Sequence, residues 1–285
     1  MRRGSEILIE ILTWLASLIP AILAGAIISF LLFNGASAIS WKFITGFPEK
    51  GGLEGGILPA IMGSIYVSAL CMLIAAPIGI GAGTYLAEYA PENVFTKVVR
   101  FFVELLAGIP SIVIGLFGYA FLVHGLGLGF SILSGAIALA FMILPWTVRV
   151  SEEAIRAVPR EYRYASLALG ASKWQTIRSV VYAAARPAII TGLMLGLGKA
   201  VGETAVVMMT AGMGVAGYIP ASPLDPARTL PVHLYLIAGE IANTSEGLRM
   251  AYGTALVLIA LFLAVSIPSI MLRNYFTRRL YGDAG

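Results

Sequence analysis

Six long apolar runs, separated by shorter polar segments, dominate the pattern of residues along this chain. They cover residues 11–33, 60–87, 101–123, 131–150, 187–213 and 250–272. Each matches the length of about 20 apolar residues that a helix needs to cross the hydrocarbon core of a bilayer. The pattern therefore predicts an all-α polytopic membrane protein with about six transmembrane helices.

Two of the connecting segments are long, 34–59 and 214–249. The first is rich in glycine and the second in proline, which favours irregular, partly ordered loops. They are either contact sites for a soluble external partner or ordinary connectors. The chain then divides into a first helix with its external loop (1–58), a core (59–272) that carries a cytosolic loop at 151–186, and a cytosolic tail (273–285).

The composition supports a membrane protein and argues against an enzyme. Hydrophobic residues make up 59% of the chain and charged residues 12%, against about 25% charged residues in a soluble domain. The single cysteine, Cys71, excludes a disulfide framework and a cysteine-rich metal site. His124 and His233 lie far apart in predicted external loops, and no catalytic motif accompanies them. We expect no catalysis, no metal and no cofactor.

The basic residues are distributed unevenly about the apolar runs. If the N-terminus is cytosolic, fourteen of the 19 Lys and Arg residues flank the runs on the cytosolic side and four on the external side. This asymmetry follows the positive-inside rule, so both termini are predicted to be cytosolic. Orientation in the plasma membrane also explains the pI of about 9.2 better than nucleic-acid binding does.

The basic segment 149–186 has the pattern of a helix, a glycine elbow and a second helix. Pro159 suits the start of the first helix, and Glu161 places an acid near its positive end. Gly170 stands where a left-handed cap would end that helix. Ser172, with a glutamine three residues later, forms a capping box for the next helix. An amphipathic double helix between two spans is a candidate docking element for a cytosolic partner.

The fifth run contains two ionisable residues at membrane depth. Lys199 and Glu203 are four residues apart, so a continuous helix would place them on one face, where they could pair. Such residues usually face a bundle interior or a solute pathway. Two readings remain: an ion pair that only fixes packing, or a cation that attracts an anionic solute. Two GxxxG patterns, 192–196 and 198–202, predict close packing of this helix against a neighbour.

The basic segment resembles the EAA loop of permease subunits from binding-protein-dependent ABC importers. The residues that align with the family pattern are Tyr164, Ala165, Ser166, Gly170, Val180, Tyr182 and Ala183. Tyr164 stands where the family usually has Glu, and Ala183 where it has Pro. Glu161, one helical turn earlier, is the candidate for the missing acid. The resemblance implies coupling to an ATPase through Glu161, Tyr164, Ala165, Ser166 and Gly170.

Four further passages, which begin at Pro59, Gly108, Gly198 and Leu230, resemble the A-type permease subunit of phosphate importers. This resemblance implies the type I, MetI-like architecture and a phosphate pathway that includes Lys199, Glu203 and Thr204. Lys199 replaces the Arg that is usual in the family. The sister C-type subunit shares several of the passages, so the choice of A-type depends mainly on the passage LPVHLYLIA and the short N-terminal region.

The implied partners are a sister permease in a heterodimer, two cytosolic ATPase subunits that hydrolyse the ATP, and an external phosphate-binding protein. The alternatives are a permease for molybdate, sulfate or another oxyanion, and a stand-alone secondary transporter or channel.

Overall fold

The computed structural model describes residues 2–49, 54–214, 217–240 and 244–281. Its regular elements are α1 (Arg2–Gly35), α2 (Trp41–Thr45), β1 (Pro48–Glu49), β2 (Glu54–Gly55), α3 (Leu58–Thr84), α4 (Val94–Ala107), α5 (Ser111–Gly118), α6 (Ile132–Arg156), α7 (Arg160–Ala168), α8 (Lys173–Thr176), α9 (Tyr182–Val201), α10 (Ala205–Thr210), α11 (Leu230–Glu240) and α12 (Ser245–Tyr281). Three π-helical turns continue or join these helices, at Tyr85–Tyr89, Tyr119–Gly125 and Ile177–Val181. The predicted all-α class is confirmed.

Five helical stretches in the described residues are long and apolar enough to cross a membrane. They are Glu6–Ala38, Leu58–Tyr89, Ile132–Arg156, Lys173–Val201 and Ser245–Tyr275. A bent pair of helices, Val94–Ala107 with Ser111–Gly125, brings the number to six if the pair forms one span. The prediction of about six transmembrane helices is confirmed.

The prediction of one continuous third helix over 101–123 was wrong. The chain turns by 95° between α4 and α5, and the break lies at Gly108–Pro110. Pro110 has no amide hydrogen for a helical bond, and its ring disfavours a helical conformation at the residue before it. The apolar run continues through the break, so hydropathy did not reveal it.

The fifth predicted helix, 187–213, was misplaced at both ends. Helical structure begins already at Lys173, with its first turns outside the apolar run, and continues through the π turn Ile177–Val181 into α9. It ends at Val201, and the short helix α10 begins four residues later, at Ala205. The break at Gly202–Thr204 separates the two parts of the predicted span.

The two long connecting segments contain more regular structure than predicted. The first forms a 3₁₀ turn, the short helix α2 and the antiparallel hairpin β1–β2. The second includes α11, which packs against α12 and α3. His233 lies in α11 and is 1% exposed, so its assignment to an external loop was also wrong. Buried apolar residues make α11 part of the bundle.

Close contact between α3 and α6 forms the centre of the bundle. The two helices run parallel, because Gly79 faces Thr147 and Gly83 faces Ser151. The absence of a side chain at each glycine allows the partner helix to approach. Around this contact the largest core cluster includes Cys71, Leu139, Ile143, Val206 and Val207. The second span is therefore closely packed against α6.

The GxxxG pattern 192–196 packs α9 against α6, as predicted. A side chain at Gly192 would collide with Val150, and one at Gly196 would lie 3.2 Å from the Trp146 ring. The second pattern, 198–202, behaves differently at its two ends. A side chain at Gly198 would collide with the Phe262 ring of α12, whereas one at Gly202 would meet nothing closer than 3.8 Å. Only the first pattern thus forms a complete helix-packing motif.

Candidate functional site

The segment between α6 and α9 folds as the sequence predicts. Helix α7 begins after Pro159 and ends at Ala168. Gly170 follows with φ +86°, in the left-handed region that suits glycine. The Ser172 hydroxyl and the Gln175 side chain then form the predicted capping box at the start of α8. The elbow is therefore built from local chain preferences.

Most of α7 is exposed at one end of the bundle. Among the predicted coupling residues, Glu161 and Ala165 are exposed and Tyr164 is 63% exposed, whereas Ser166 is half-buried. Ser166 Oγ hydrogen-bonds Thr176 Oγ1 at 2.9 Å and so joins α7 to α8. Large apolar side chains extend this surface at Leu167, Leu169 and Trp174. A mixed apolar and charged surface of this kind is suited to docking a protein.

One arginine joins α7 to the ends of two long helices. Arg163 donates from Nε and Nη2 to Glu88 Oε1, at 2.9 and 2.5 Å. It also donates to the carbonyl oxygens of Ile155 and Val158, at 2.8 and 2.6 Å. Lys173 donates to the Glu88 carbonyl and lies 4.3 Å from the centre of the Tyr89 ring. The whole elbow is thereby attached to the π turn that follows α3.

A second ion-pair cluster lies beside this attachment. Arg100 pairs with Glu92 and with the buried Glu152, and Arg156 pairs with the same two carboxylates, at 2.9–3.2 Å. The hydrogen bonds from Arg156 and Arg100 hold the pKa of Glu92 below its ordinary value. Glu92 and Arg156 also line a groove of about 540 Å³ next to Tyr164.

Sequence reasoning missed both clusters because their members come from different helices. One signal for these clusters was available in the sequence. Acidic residues follow the ends of two apolar runs, near a basic loop with which they could pair: Glu88, Glu92 and Glu152. Glu104 pairs with Arg149 at 2.7 Å. Arg149 also pairs with Glu153 at 2.6 Å, and all three side chains are exposed.

The predicted pathway residues lie together at the break between α9 and α10. Lys199 is exposed near the end of α9, and Glu203 and Thr204 are half-buried in the break. The Thr204 carbonyl accepts the Met208 amide at 2.9 Å and begins the next helix. An α-helix rises by about 1.5 Å per residue, so Lys199 lies roughly 40 Å along the helix from Lys173. The coupling and pathway residues therefore form two separate sites.

The proposed pairing of Lys199 with Glu203 is not present. No ion pair joins them in the described part of the chain, where the eight salt bridges involve other residues. The spacing argument assumed a continuous helix, but α9 ends at Val201. Glu203 lies beyond that end, in the break before α10. Their roles in a pathway remain predictions.

Comparison with known proteins places the chain among membrane transport components. Residues 75–281 match the family described as "Binding-protein-dependent transport system inner membrane component". The probable ABC transporter permease protein YqgI of Bacillus subtilis is 42% identical over 77% of this chain and 78% of its own. The phosphate transport system permease protein PstA of Xylella fastidiosa is 37% identical over 86% of this chain and 84% of its own. The probable PstA of Methanocaldococcus jannaschii is 35% identical, over 79% and 77%.

Solved structures share the fold. An inward-facing crystal form of the MetNI methionine ABC transporter aligns with a TM-score of 0.63 at 18% identity, over 78% of this chain and 96% of the other. A bacterial alginate ABC transporter, solved with its alginate-bound periplasmic protein, aligns with a TM-score of 0.62 at 16% identity, over 94% and 96%. The expected MetI-like architecture is confirmed. The family match and the relatives together show that this chain belongs to the binding-protein-dependent transport system inner membrane components.

Proposed function

We propose that this chain is the permease subunit of an ATP-driven importer that moves inorganic phosphate across the plasma membrane. The observation that carries the proposal is the identity of 35–37% to phosphate permeases over 79–86% of the chain. The division into residues 1–58, 59–272 and 273–285 is part of the same proposal. The family match at residues 75–281 covers most of that core and extends into the proposed tail.

The end of the bundle that carries α7 is proposed to face the cytosol. Fourteen of the 19 Lys and Arg residues flank that side of the spans, which favours a cytosolic location for both termini and for the elbow. Lys173, Arg160 and Arg178 are all exposed there. The opposite end carries the hairpin β1–β2 and is proposed to meet an external phosphate-binding protein.

Helix α7 and the elbow at Gly170 are proposed to dock on one of two separate ATPase subunits. Exposed Tyr164, Leu167 and Leu169 give the surface an apolar centre, and Glu161 lies within it. The family's usual acid at position 164 is replaced by Tyr164, so Glu161 is the proposed acidic contact. ATP is hydrolysed by the ATPase subunits and not by this chain.

The break at Gly202–Thr204 is proposed to lie on the solute pathway, between this chain and its sister permease. Lys199 supplies a positive charge at the end of α9, where it attracts an anion. Glu203 is the nearest acid in the sequence and opposes that attraction, and Thr204 offers a hydroxyl group. Irregular backbone at membrane depth is tolerated where it is buried in protein or lines an aqueous cavity, which supports this location.

Purification and reconstitution test the proposal. The complex that co-purifies with this chain from native membranes is placed in vesicles, with ATP on the ATPase side and labelled phosphate with the binding protein on the other. We expect uptake that depends on ATP and on the binding protein. Unlabelled molybdate and sulfate are added as competitors, and phosphate alone should compete strongly.

Two outcomes would replace the proposal. ATP-dependent uptake of molybdate or sulfate in place of phosphate would assign another oxyanion. Phosphate movement without ATP or an ATPase subunit would indicate a secondary transporter or a channel.

A further inference from the structure

We infer that Glu88 and Arg163 are positioning residues that clamp the docking helix α7 to α3 and α6, so that the three helices move as one body. The inference rests on the proposed importer function and adds the residues that transmit movement from the ATPase. It concerns the side of α7 that faces the bundle and not the exposed surface that meets the ATPase.

Helix α7 has few other attachments to α3 and α6. Among the described residues of α7, only Arg163 and Ser166 make side-chain hydrogen bonds. The Ser166 bond goes to Thr176, near the start of the helical stretch Lys173–Val201. In the described part of the chain, Arg163 is therefore the only side chain of α7 that hydrogen-bonds α6 or the π turn after α3. Helix α7 also packs against α8 and the π turn Ile177–Val181, so a force on α7 reaches α3 and α6 through Arg163, through those contacts or through the chain connection.

The chemistry of the Arg163 side chain allows it to connect α7 with α3 and α6. Its guanidinium group is planar and offers five donors in a rigid fork. Two donors meet Glu88 in the π turn that follows α3, and others meet the carbonyl oxygens of Ile155 in the last turn of α6 and of Val158 just beyond it. One side chain thus holds the ends of both parallel helices. A lysine in its place has the charge but cannot reach these acceptors together.

The burial of the pair makes it rigid. The side chain of Glu88 is 8% exposed and that of Arg163 is 18% exposed. Water therefore offers little replacement for either partner, and removing one leaves the other charge buried and uncompensated. The exposed pair Arg149–Glu153 has side chains that are 51% and 62% exposed, so its loss has little effect. This pair provides a matched control at the same end of the bundle.

Glu88 lies in a segment suited to carrying movement. It belongs to the π turn Tyr85–Tyr89, and the second π turn, Ile177–Val181, follows α8 on the other side of the elbow. The hydroxyl groups of Thr84 and Tyr182 join the two segments at 2.9 Å. π turns within helices occur frequently at functional sites. Helices α3 and α9 therefore both leave regular α-geometry next to the Thr84–Tyr182 contact, and Glu88 belongs to one of the two π turns.

The experiment uses the whole reconstituted complex and measures ATP hydrolysis, phosphate uptake and melting temperature for each variant. Glu88→Gln and Arg163→Met remove the clamp, Arg163→Lys retains the charge, and Glu153→Gln is the control. We expect the first two variants to hydrolyse ATP at near the wild-type rate while uptake falls, so that the ATP used per phosphate rises by about tenfold. Arg163→Lys should give an intermediate ratio, and Glu153→Gln should match the wild type.

The ratio is measured on assembled complexes, so a lower yield does not affect it. A wild-type ratio in Glu88→Gln and Arg163→Met, even with a lower melting temperature, would overturn the inference and leave a purely structural pair. Failure of both variants to assemble would also overturn it, because the pair would then be required for folding. If the wild-type complex itself imports no phosphate, the proposed function fails instead.

Discussion

The indole nitrogen of Trp146 on α6 donates a hydrogen bond of 2.9 Å to the carbonyl oxygen of Gly192 on α9. The bond satisfies the indole group within an apolar interface, where an unpaired donor would be costly. It forms because Gly192 has no side chain and lets the backbone of α9 approach α6. The helix that leads from the elbow to the proposed pathway is thereby held against the centre of the bundle.

Gly192→Ala should destabilise the protein by about 1–3 kcal/mol, the usual cost of overpacking. The added methyl group collides with Val150 and pushes the helices apart. The matched control is Gly81→Ala in α3, because a side chain there meets nothing within 4 Å. Melting of the purified protein in detergent measures both. Equal melting temperatures for the two variants would contradict close packing at Gly192.

Gly170→Leu should uncouple ATP hydrolysis from transport while membrane insertion remains normal. Gly170 has φ +86°, and a side chain added there meets nothing within 4 Å, so the cost comes from the backbone and is about 1–2 kcal/mol. Gly170→Asn is the control, because asparagine tolerates left-handed conformations. Solute-stimulated ATP hydrolysis and uptake are measured in the reconstituted complex. Near wild-type transport by Gly170→Leu would mean that the elbow is only a connector.

Lys199→Ala should reduce phosphate uptake by about tenfold, the effect of losing roughly 1.4 kcal/mol of charge attraction. Lys199→Arg should remain close to the wild type because the charge is retained. Lys199 and Glu203 do not pair, so neither Lys199→Ala nor Lys199→Arg leaves an ion-pair partner without its opposite charge. Neither variant should therefore lower the melting temperature. Initial uptake rates and melting temperatures test this set.

The double variant Lys199→Met with Glu203→Met tests whether the charges of these two residues serve the pathway. We expect normal assembly and little uptake, because the pathway loses its charge. Retained uptake by this variant would disprove a role in the pathway, since transport would then need neither charge.

Glu92→Gln should lower the melting temperature slightly at neutral pH and have no effect in acid. Arg156 and Arg100 hold the pKa of Glu92 below its ordinary value of 4.5. Because its pKa is lowered in the folded state, Glu92 stabilises the fold at pH values above its ordinary pKa. This stabilisation is lost as pH falls through the folded-state pKa. The measured quantity is the melting temperature of the wild type minus that of Glu92→Gln, followed from neutral pH to about pH 3. A difference that grows in acid would show that the ion pairs do not stabilise the fold.

Local residue patterns were sufficient for the helical class, the number of spans and the elbow. Apolar runs that match the bilayer thickness, the capping box at Ser172 and the left-handed glycine at Gly170 each depend on neighbours within a few positions. The same holds for the GxxxG pattern 192–196, whose small residues face a partner helix whichever helix that is. Such features follow from chain geometry and need no knowledge of distant contacts.

The ends of the helices and the ion pairs depended on contacts between residues far apart in the chain. Hydropathy is blind to the breaks at Gly108–Pro110 and Gly202–Thr204, because the residues on both sides of each remain apolar. The break at Gly202–Thr204 also removed the pairing that spacing predicts for Lys199. Glu88 and Arg163 are 75 residues apart and meet only because α3 and α6 run parallel and end together. A charged residue at a helix end pairs with whichever opposite charge lies on the neighbouring helix ends. That neighbourhood is determined by the packing of the whole bundle.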